Sequence, residues 1–266
     1  MPTLDAPACA ALMEAVTALA VRAALVIRDY IGKDGFRTKA DGSPVTAADM
    51  ASEAAIHGGL SDIAPALAII SEEQSQRSAT PPAAGSYFLV DPLDGTREFI
   101  AGRDEYVVNI ALVTDRAPLL GVIAAPALGL IWRGIVGEGA ERLMFAADGK
   151  TSPPTRIQVR TRPQRQPIVL VSRSHLDPRT QAYMKTLQEP HTVACGSAIK
   201  FCRIAEGSAD LYPRLAPTHD WDIAAGHAIV EAAGGSLKAA DGTALRYGTP
   251  ELLIPGFVAA GKAQAA

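Results

Sequence analysis

The segment Asp91-Pro92-Leu93-Asp94-Gly95-Thr96 places two carboxylates close together at the end of an apolar run, Tyr87 to Val90. Proline cannot donate to a strand ladder, so the chain is expected to leave its sheet at Pro92. Gly95 allows the backbone to approach a ligand, and Thr96 is expected to open a helix. The free amides at such a helix end favour an anion. Carboxylates beside a phosphate-binding turn repel the phosphate unless a cation lies between them. Oxygen donors without His or Cys point to Mg²⁺ rather than zinc.

Further acids stand at similar places. Ser71-Glu72-Glu73 follows the apolar run Ala66 to Ile70, Asp49 closes the pattern Thr46-x-x-Asp49, and Asp222 follows Trp221 at an expected helix start. Each has an ordinary explanation when taken alone. An Asp-Pro-x-Asp-Gly turn is common, Glu72-Glu73 could be a solvated loop, Thr46 and Asp49 make a capping box, and Asp222 suits a helix dipole. Together, at strand ends and helix starts, they form a candidate site.

The elements that must position them can be read from pattern. Leu12, Val16, Leu19, Ala23 and Val26 recur at helical spacing, which predicts one amphipathic helix ending near Gly32. A second helix is expected from Thr46 to about Leu60. Tyr106 to Val113, Pro118 to Ala124 and Leu130 to Ile135 read as consecutive antiparallel strands. The Gly-, Pro- and Arg-rich stretch 148–167 marks a boundary, dividing an N-terminal α+β domain (1–150) with most of the acids from a C-terminal α/β domain (151–266). In the second part we expect strands at Ile168–Val171 and near Asp210–Tyr212. Helices are expected at Pro178–Leu187, Ser197–Glu206 and Trp221–Ala233, followed by a closing hairpin.

Composition narrows the classes. With 25 Lys and Arg against 28 Asp and Glu, the net charge of −3 gives no basic field for a nucleic-acid polymer or an anionic membrane. The three cysteines, Cys9, Cys195 and Cys202, show no paired spacing, which argues against a disulfide framework and for a reducing cytoplasm. Glu14, Arg22 and Arg28 interrupt the apolar N-terminal stretch, so a signal peptide, a membrane span and integral membrane contact are not expected.

Ser-Glu-Glu at 71–73, Asp-Pro-Leu-Asp-Gly-Thr at 91–96 and Trp-Asp-x-Ala-Ala-Gly at 221–226 resemble the signatures of the inositol monophosphatase superfamily of Mg²⁺-dependent, lithium-sensitive phosphatases. The segments 39–49, Ser172-Arg-Ser-His175, 196–202 and Leu211-Tyr-Pro-Arg214 are similar to its bacterial 3'(2'),5'-bisphosphate nucleotidase branch. The resemblance runs from about Lys39 to Gly256. Ala198-Ile199 departs from the Ser-Leu-like pair of that branch.

The resemblance implies a layered α/β/α/β/α sandwich of the sugar phosphatase kind, with a mostly antiparallel first sheet and a smaller mixed second sheet. It implies that Glu72, Asp91 and the Leu93 carbonyl hold one Mg²⁺. Asp91, Asp94 and Asp222 would hold a second, and a third, weaker ion could sit near Glu72. Catalytic roles fall on Asp49, Glu72 and Thr96, with Thr96 oriented by Asp49 to position the attacking water. Lys39, Gly95, Thr96, Asp222, His175, Ser197, Lys200 and Arg214 would bind substrate. Lys200, Arg214 and His175 would meet a second phosphate. The implied substrate is adenosine 3',5'-bisphosphate, converted to AMP and phosphate in sulfate assimilation or nucleotide recycling.

Inositol or fructose bisphosphate chemistry is the nearest rival, and a non-catalytic metal- or nucleotide-binding regulator is a rival of another class. A serine hydrolase is disfavoured by the absence of a GxSxG elbow. The resemblance also implies a cytoplasmic monomer or homodimer, with the inner membrane face as an optional peripheral location.

Overall fold

The computed structural model describes residues 6–33, 35–74, 81–82, 84–161, 166–173 and 176–261. In chain order the elements are α1 (Ala6–Arg28), β1 (Phe36–Thr38), β2 (Pro44–Thr46), α2 (Ala47–Ile63), β3 (Ala68–Ser71), β4 (Ser86–Asp94), α3 (Thr96–Ile100) and β5 (Val107–Thr114). Then come β6 (Ala117–Ala125), β7 (Leu130–Ile135), β8 (Gly139–Met144), β9 (Thr155–Ile157), β10 (Ile168–Ser172), α4 (Pro178–Met184) and β11 (His191–Cys195). The chain closes with α5 (Ile199–Ala205), β12 (Leu211–Arg214), β13 (Thr218–His219), α6 (Asp220–Ala232), β14 (Ser236–Lys238), β15 (Leu253–Ile254) and β16 (Phe257–Ala260).

The first sheet has seven strands in sequence order from β3 to β9. Only β3 and β4 pair in parallel; the other neighbours are antiparallel. Successive side chains on a strand point to opposite faces, and β4 shows the consequence. Phe88 and Val90 join α1 and α2 in one core, while Tyr87 and Leu89 join α5, α6 and the second sheet in another. That second sheet has five strands in the order β11-β10-β12-β16-β14, part parallel and part antiparallel. With α4 against β12, the layers make the α/β/α/β/α sandwich expected above.

Helix α1 is long and apolar enough to cross a membrane by composition alone. Its apolar side is instead spent on the protein's own core: Val16, Leu19, Ala20, Ala23 and Ile27 are buried against α2 and the first sheet. All three cysteines are free and buried.

The structure corrects three expectations. The boundary at 150/151 falls between β8 and β9, which are still paired in the first sheet, and α6 from the second half shares a core with β5 and β6. Strands β1, β2, β8, β11 and β13 are additional to those predicted. The closing hairpin is instead a wider pairing, in which β14 meets β16 across a connection that also contributes β15 to β13.

Candidate active site

Parallel pairing of β3 with β4 sets the site. Ser71 lies opposite Val90, and the Glu72 amide donates to the Val90 carbonyl at 3.1 Å. Both strands therefore finish at one edge, and Glu72 emerges beside Asp91. Pro92 does not take the chain out of the sheet as expected. Strand β4 continues to Asp94 through a shift of register between Asp91 and Asp94, a place where a residue without an N–H costs no ladder bond. The turn is held from within: the Leu93 amide donates to Asp91 Oδ1 at 3.0 Å, and the Ser52 hydroxyl of α2 donates to the Pro92 carbonyl at 2.8 Å.

Gly95 follows with φ of 95°, a left-handed conformation, and a side chain there would meet the Glu105 carbonyl at 2.8 Å. Both facts require glycine. Thr96 then starts α3, and its hydroxyl lies 3.0 Å from Asp49 Oδ1 and 3.2 Å from the Leu93 carbonyl. Asp49 Oδ2 accepts the Thr46 amide at 2.8 Å, so the capping box is real. One carboxylate thus caps α2 with one oxygen and orients Thr96 with the other.

A cavity of about 470 Å³ collects Lys39, Glu72, Asp91, Leu93, Asp94, Gly95, Thr96, Ser197, Lys200, Arg214 and Asp222. Asp49 stands behind it, through Thr96. His175 lies outside the described residues. Asp222 comes from the first turn of α6, where its Oδ2 accepts the Thr218 hydroxyl and the His219 amide.

The acids act on one another. Burial, with repulsion from Asp222 and Glu73 added, pushes Glu72 up to about 7 against the pull of Lys39. Burial and the neighbouring Asp222 raise Asp94 to about 6. Asp91, fully enclosed and facing Glu72, Asp94 and Asp222, is raised well above the ordinary carboxylate range. A divalent cation relieves this crowding, and four carboxylates with the Leu93 carbonyl are the hard donors it prefers.

Among the described residues no three His, Cys, Asp or Glu side chains converge at metal-ligand spacing. Protein donors hold them instead. The Lys39 ammonium contacts Glu72 at 2.7 Å and Glu73 at 2.6 Å, and the Ala198 amide donates to Asp94 Oδ2 at 2.5 Å. Burial works against the Lys39 charge, but the two glutamates more than offset it and raise its pKa.

The basic residues are set deeper than the sequence suggested. The Lys200 ammonium is buried and donates to the Cys195 and Ser197 carbonyls at 3.0 and 2.7 Å, with Tyr212 beneath it. Two of its donors hold a loop, and its charge lowers the Asp94 pKa. Arg214 keeps its charge on burial because Tyr212, Asp222 and Asp94 stabilise it, and its buried Nε finds no hydrogen-bond partner among the described residues. Ser197 adopts φ of 54°, uncommon for a residue with a side chain.

Sequence reasoning missed the pairing of Lys39 with both glutamates, since the partners are far apart in the chain. It also left His219 unassigned. The His219 ring stacks on Trp221 with centroids 4.4 Å apart and planes 8° from parallel; His219 is exposed, and both rings line the cavity.

A sequence model of the inositol monophosphatase family matches residues 10–265. The chain is 42% identical over 221 residues to the 3'(2'),5'-bisphosphate nucleotidase CysQ of Escherichia coli (strain K12), covering 83% of this chain and 86% of that one. The crystal structure of CysQ from Bacteroides thetaiotaomicron superposes with a TM-score of 0.79 at 34% identity, over 96% of this chain and 98% of that one. Inositol monophosphatase from Anabaena shares the fold, with a TM-score of 0.74 at 24% identity, over 96% and 92% of the two chains.

Proposed function

The chain belongs to the inositol monophosphatase family, and we propose that it is a 3'(2'),5'-bisphosphate nucleotidase hydrolysing adenosine 3',5'-bisphosphate to AMP and phosphate. The observation that carries this reading is the meeting of Glu72, Asp91, Asp94 and Asp222 in one cavity beside the Gly95-Thr96 turn. Similarity to the nucleotidases over most of the chain selects the substrate.

Glu72, Asp91, the Leu93 carbonyl, Asp94 and Asp222 would hold Mg²⁺, as two ions or three. Bound there, Mg²⁺ supplies positive charge that neutralises phosphoryl oxygens and makes a water more acidic.

The remaining chemistry belongs to the chain. Asp49 takes the Thr96 hydroxyl proton as a hydrogen bond, leaving the Thr96 oxygen lone pairs to accept from the attacking water and aim it. Glu72, which lines the same cavity as Thr96, is placed to receive that water's proton. The Gly95 and Thr96 amides and Lys39 face the phosphate that leaves. No serine, cysteine or histidine nucleophile is required, so phosphate is released in one displacement.

Selectivity rests on the second half of the chain. Arg214 offers a fixed guanidinium whose buried Nε still has a donor to give, and Ser197, Lys200 and His175 complete the expected partners of the second phosphate. The exposed face of His219, backed by Trp221, offers a flat surface for a nucleobase. The enzyme is read as cytoplasmic, and as a monomer or homodimer.

Phosphate release measured side by side on adenosine 3',5'-bisphosphate, inositol 1-phosphate and fructose 1,6-bisphosphate, with and without Mg²⁺, tests this. The nucleotide is expected to be turned over fastest and only with the metal; a preference for the inositol ester would overturn the substrate assignment.

A further inference from the structure

Outside the residues assigned above, a forked ion pair between the two halves of the chain lies against Gly196, which lines the cavity. Arg173, just past the end of β10, meets Glu105, just before β5, in a forked pair: Nε donates to Oε2 at 2.8 Å and an η nitrogen donates to Oε1 at 2.7 Å. The same η nitrogen also donates to the Ala194 carbonyl at 2.9 Å, and the Arg173 amide reaches the Cys195 carbonyl at 3.3 Å. Glu105 Oε2 accepts a second bond, from the Gly196 amide at 2.8 Å. The contacts to Ala194, Cys195 and Gly196 thus hold the end of β11 and the start of the segment that leads into α5.

That segment carries Ser197 and lies directly over the phosphate turn. A side chain at Gly196 would come within 3.0 Å of both Glu98 and Glu105, and one at Gly95 would lie 3.2 Å from Ser197 Cβ. Ser197 itself is held in a left-handed conformation that few residues adopt unaided. The Ala198 amide then caps Asp94, and Lys200 grips the loop's carbonyls from below. The loop is thus pinned on the metal side by Asp94, beneath by Lys200, and on its outer side by Glu105 and Arg173.

We infer that Glu105 and Arg173 form a positioning pair that sets the Gly196–Ala198 loop against the Gly95 turn, and through it the discrimination between substrates with one and two phosphates. The inference rests on the nucleotidase reading, because the loop matters to selectivity only if Ser197 and Lys200 face the second phosphate. The forked geometry is what the position requires: one carboxylate must serve a guanidinium and an amide at once, and a lysine at 173 would supply the charge without the fork. Arg173 is 36% and Glu105 26% exposed, so truncation at this edge leaves the buried core untouched.

Steady-state kinetics on adenosine 3',5'-bisphosphate and adenosine 3'-monophosphate, for the wild type and for Arg173→Ala, Arg173→Lys, Glu105→Ala and Glu105→Gln, test it. Both alanine variants should raise KM for the bisphosphate about tenfold, an energy of about 1.4 kcal/mol, while kcat and the KM for the monophosphate stay within about twofold. Glu105→Gln keeps an acceptor for Gly196 and should lose less than Glu105→Ala; Arg173→Lys should fall between wild type and Arg173→Ala. Equal losses on both substrates, or a fall in kcat with KM unchanged, would overturn the inference, as would alanine variants that match the wild type. Thermal midpoints and Mg²⁺ titration midpoints taken in parallel should stay with the wild type; a large drop in either, with losses on both substrates, marks a general structural role. A wild-type enzyme that does not distinguish the two nucleotides would instead sink the nucleotidase reading before any variant is compared.

Discussion

Replacing Lys39 with Met removes the cation that bonds both Glu72 and Glu73, at 2.7 and 2.6 Å. Without metal, the variant leaves two carboxylates facing each other and Asp222 without the Lys39 charge that offsets their repulsion. Breaking a buried ion pair by removing one partner costs about 3–5 kcal/mol. Glu72 keeps 26% side-chain exposure and Glu73 6%, which places the loss at the low end, about 3 kcal/mol. At about 2–4 °C per kcal/mol for a chain of this size, the midpoint should fall by about 6–12 °C. The assay is thermal unfolding of wild type and Lys39→Met, in chelator and in saturating Mg²⁺, at about pH 8, above the value of about 7 to which Glu72 is raised in the wild type. With Mg²⁺ present a divalent charge replaces the ammonium, so the gap should close to a small residue. By linkage the variant should also bind Mg²⁺ more tightly. A gap of the same size in both conditions would refute the reasoning, because it would mean that Lys39 and the metal do not compete for the same acids.

Other consequences are as specific. Thr96→Val keeps the shape but removes the hydroxyl that Asp49 orients, so kcat should fall by about 100- to 1000-fold with KM little changed; a loss below tenfold would remove Thr96 from the water-positioning role. His219→Ala should raise KM for the nucleotide about tenfold or more through lost stacking and leave a phosphate ester without a base unaffected; equal effects on both would reject the platform. Asp220 is buried and raised to about 6 from 3.8, burial being the main cause, although the Gly248 amide bonds to it. The folded chain therefore holds a proton that the unfolded chain releases. Its contribution to stability falls as pH rises through that window and is fully lost above it, by about 3 kcal/mol. Asp220→Asn should gain on the metal-free wild type from about pH 4 to about pH 6 and then run parallel to it; melting curves that stay parallel throughout would contradict this.

The acids were legible because each belongs to a local pattern: an apolar run that ends in carboxylates, or a capping signal before a helix. Strand β7 was legible at both ends for the same reason, being a short apolar run between turns. Asp49 illustrates a pattern that was right and incomplete, since the capping box accounts for one of its oxygens and Thr96 for the other. Pro92 misled, because the rule against proline in a ladder does not forbid a shift of register at the proline itself. Strand β11 was missed because it is an edge strand, exposed along all but its last residue, and carries no alternation to announce it. Strand β8 places Glu141 and Arg142 side by side in the ladder, which hides its period. Contacts between distant single residues had no signal at all. Glu105 and Arg173 are each one charge in a loop, and only the packing of the second sheet on the first brings them together. The depth of Lys200 and Arg214 follows likewise from α5 packing on α6 and from β12 lying inside the second sheet between β10 and β16, a tertiary fact that no spacing encodes.

Anomalous diffraction from crystals equilibrated with Mn²⁺, which prefers the same oxygen donors as Mg²⁺, addresses the central assignment most directly. Peaks are predicted inside the cavity, in contact with Glu72, Asp91, Asp94 and Asp222, with Lys39 displaced from Glu72. Metal density elsewhere, or acids still bonded to Lys39, Ala198 and Thr218 at saturating metal, would contradict the account.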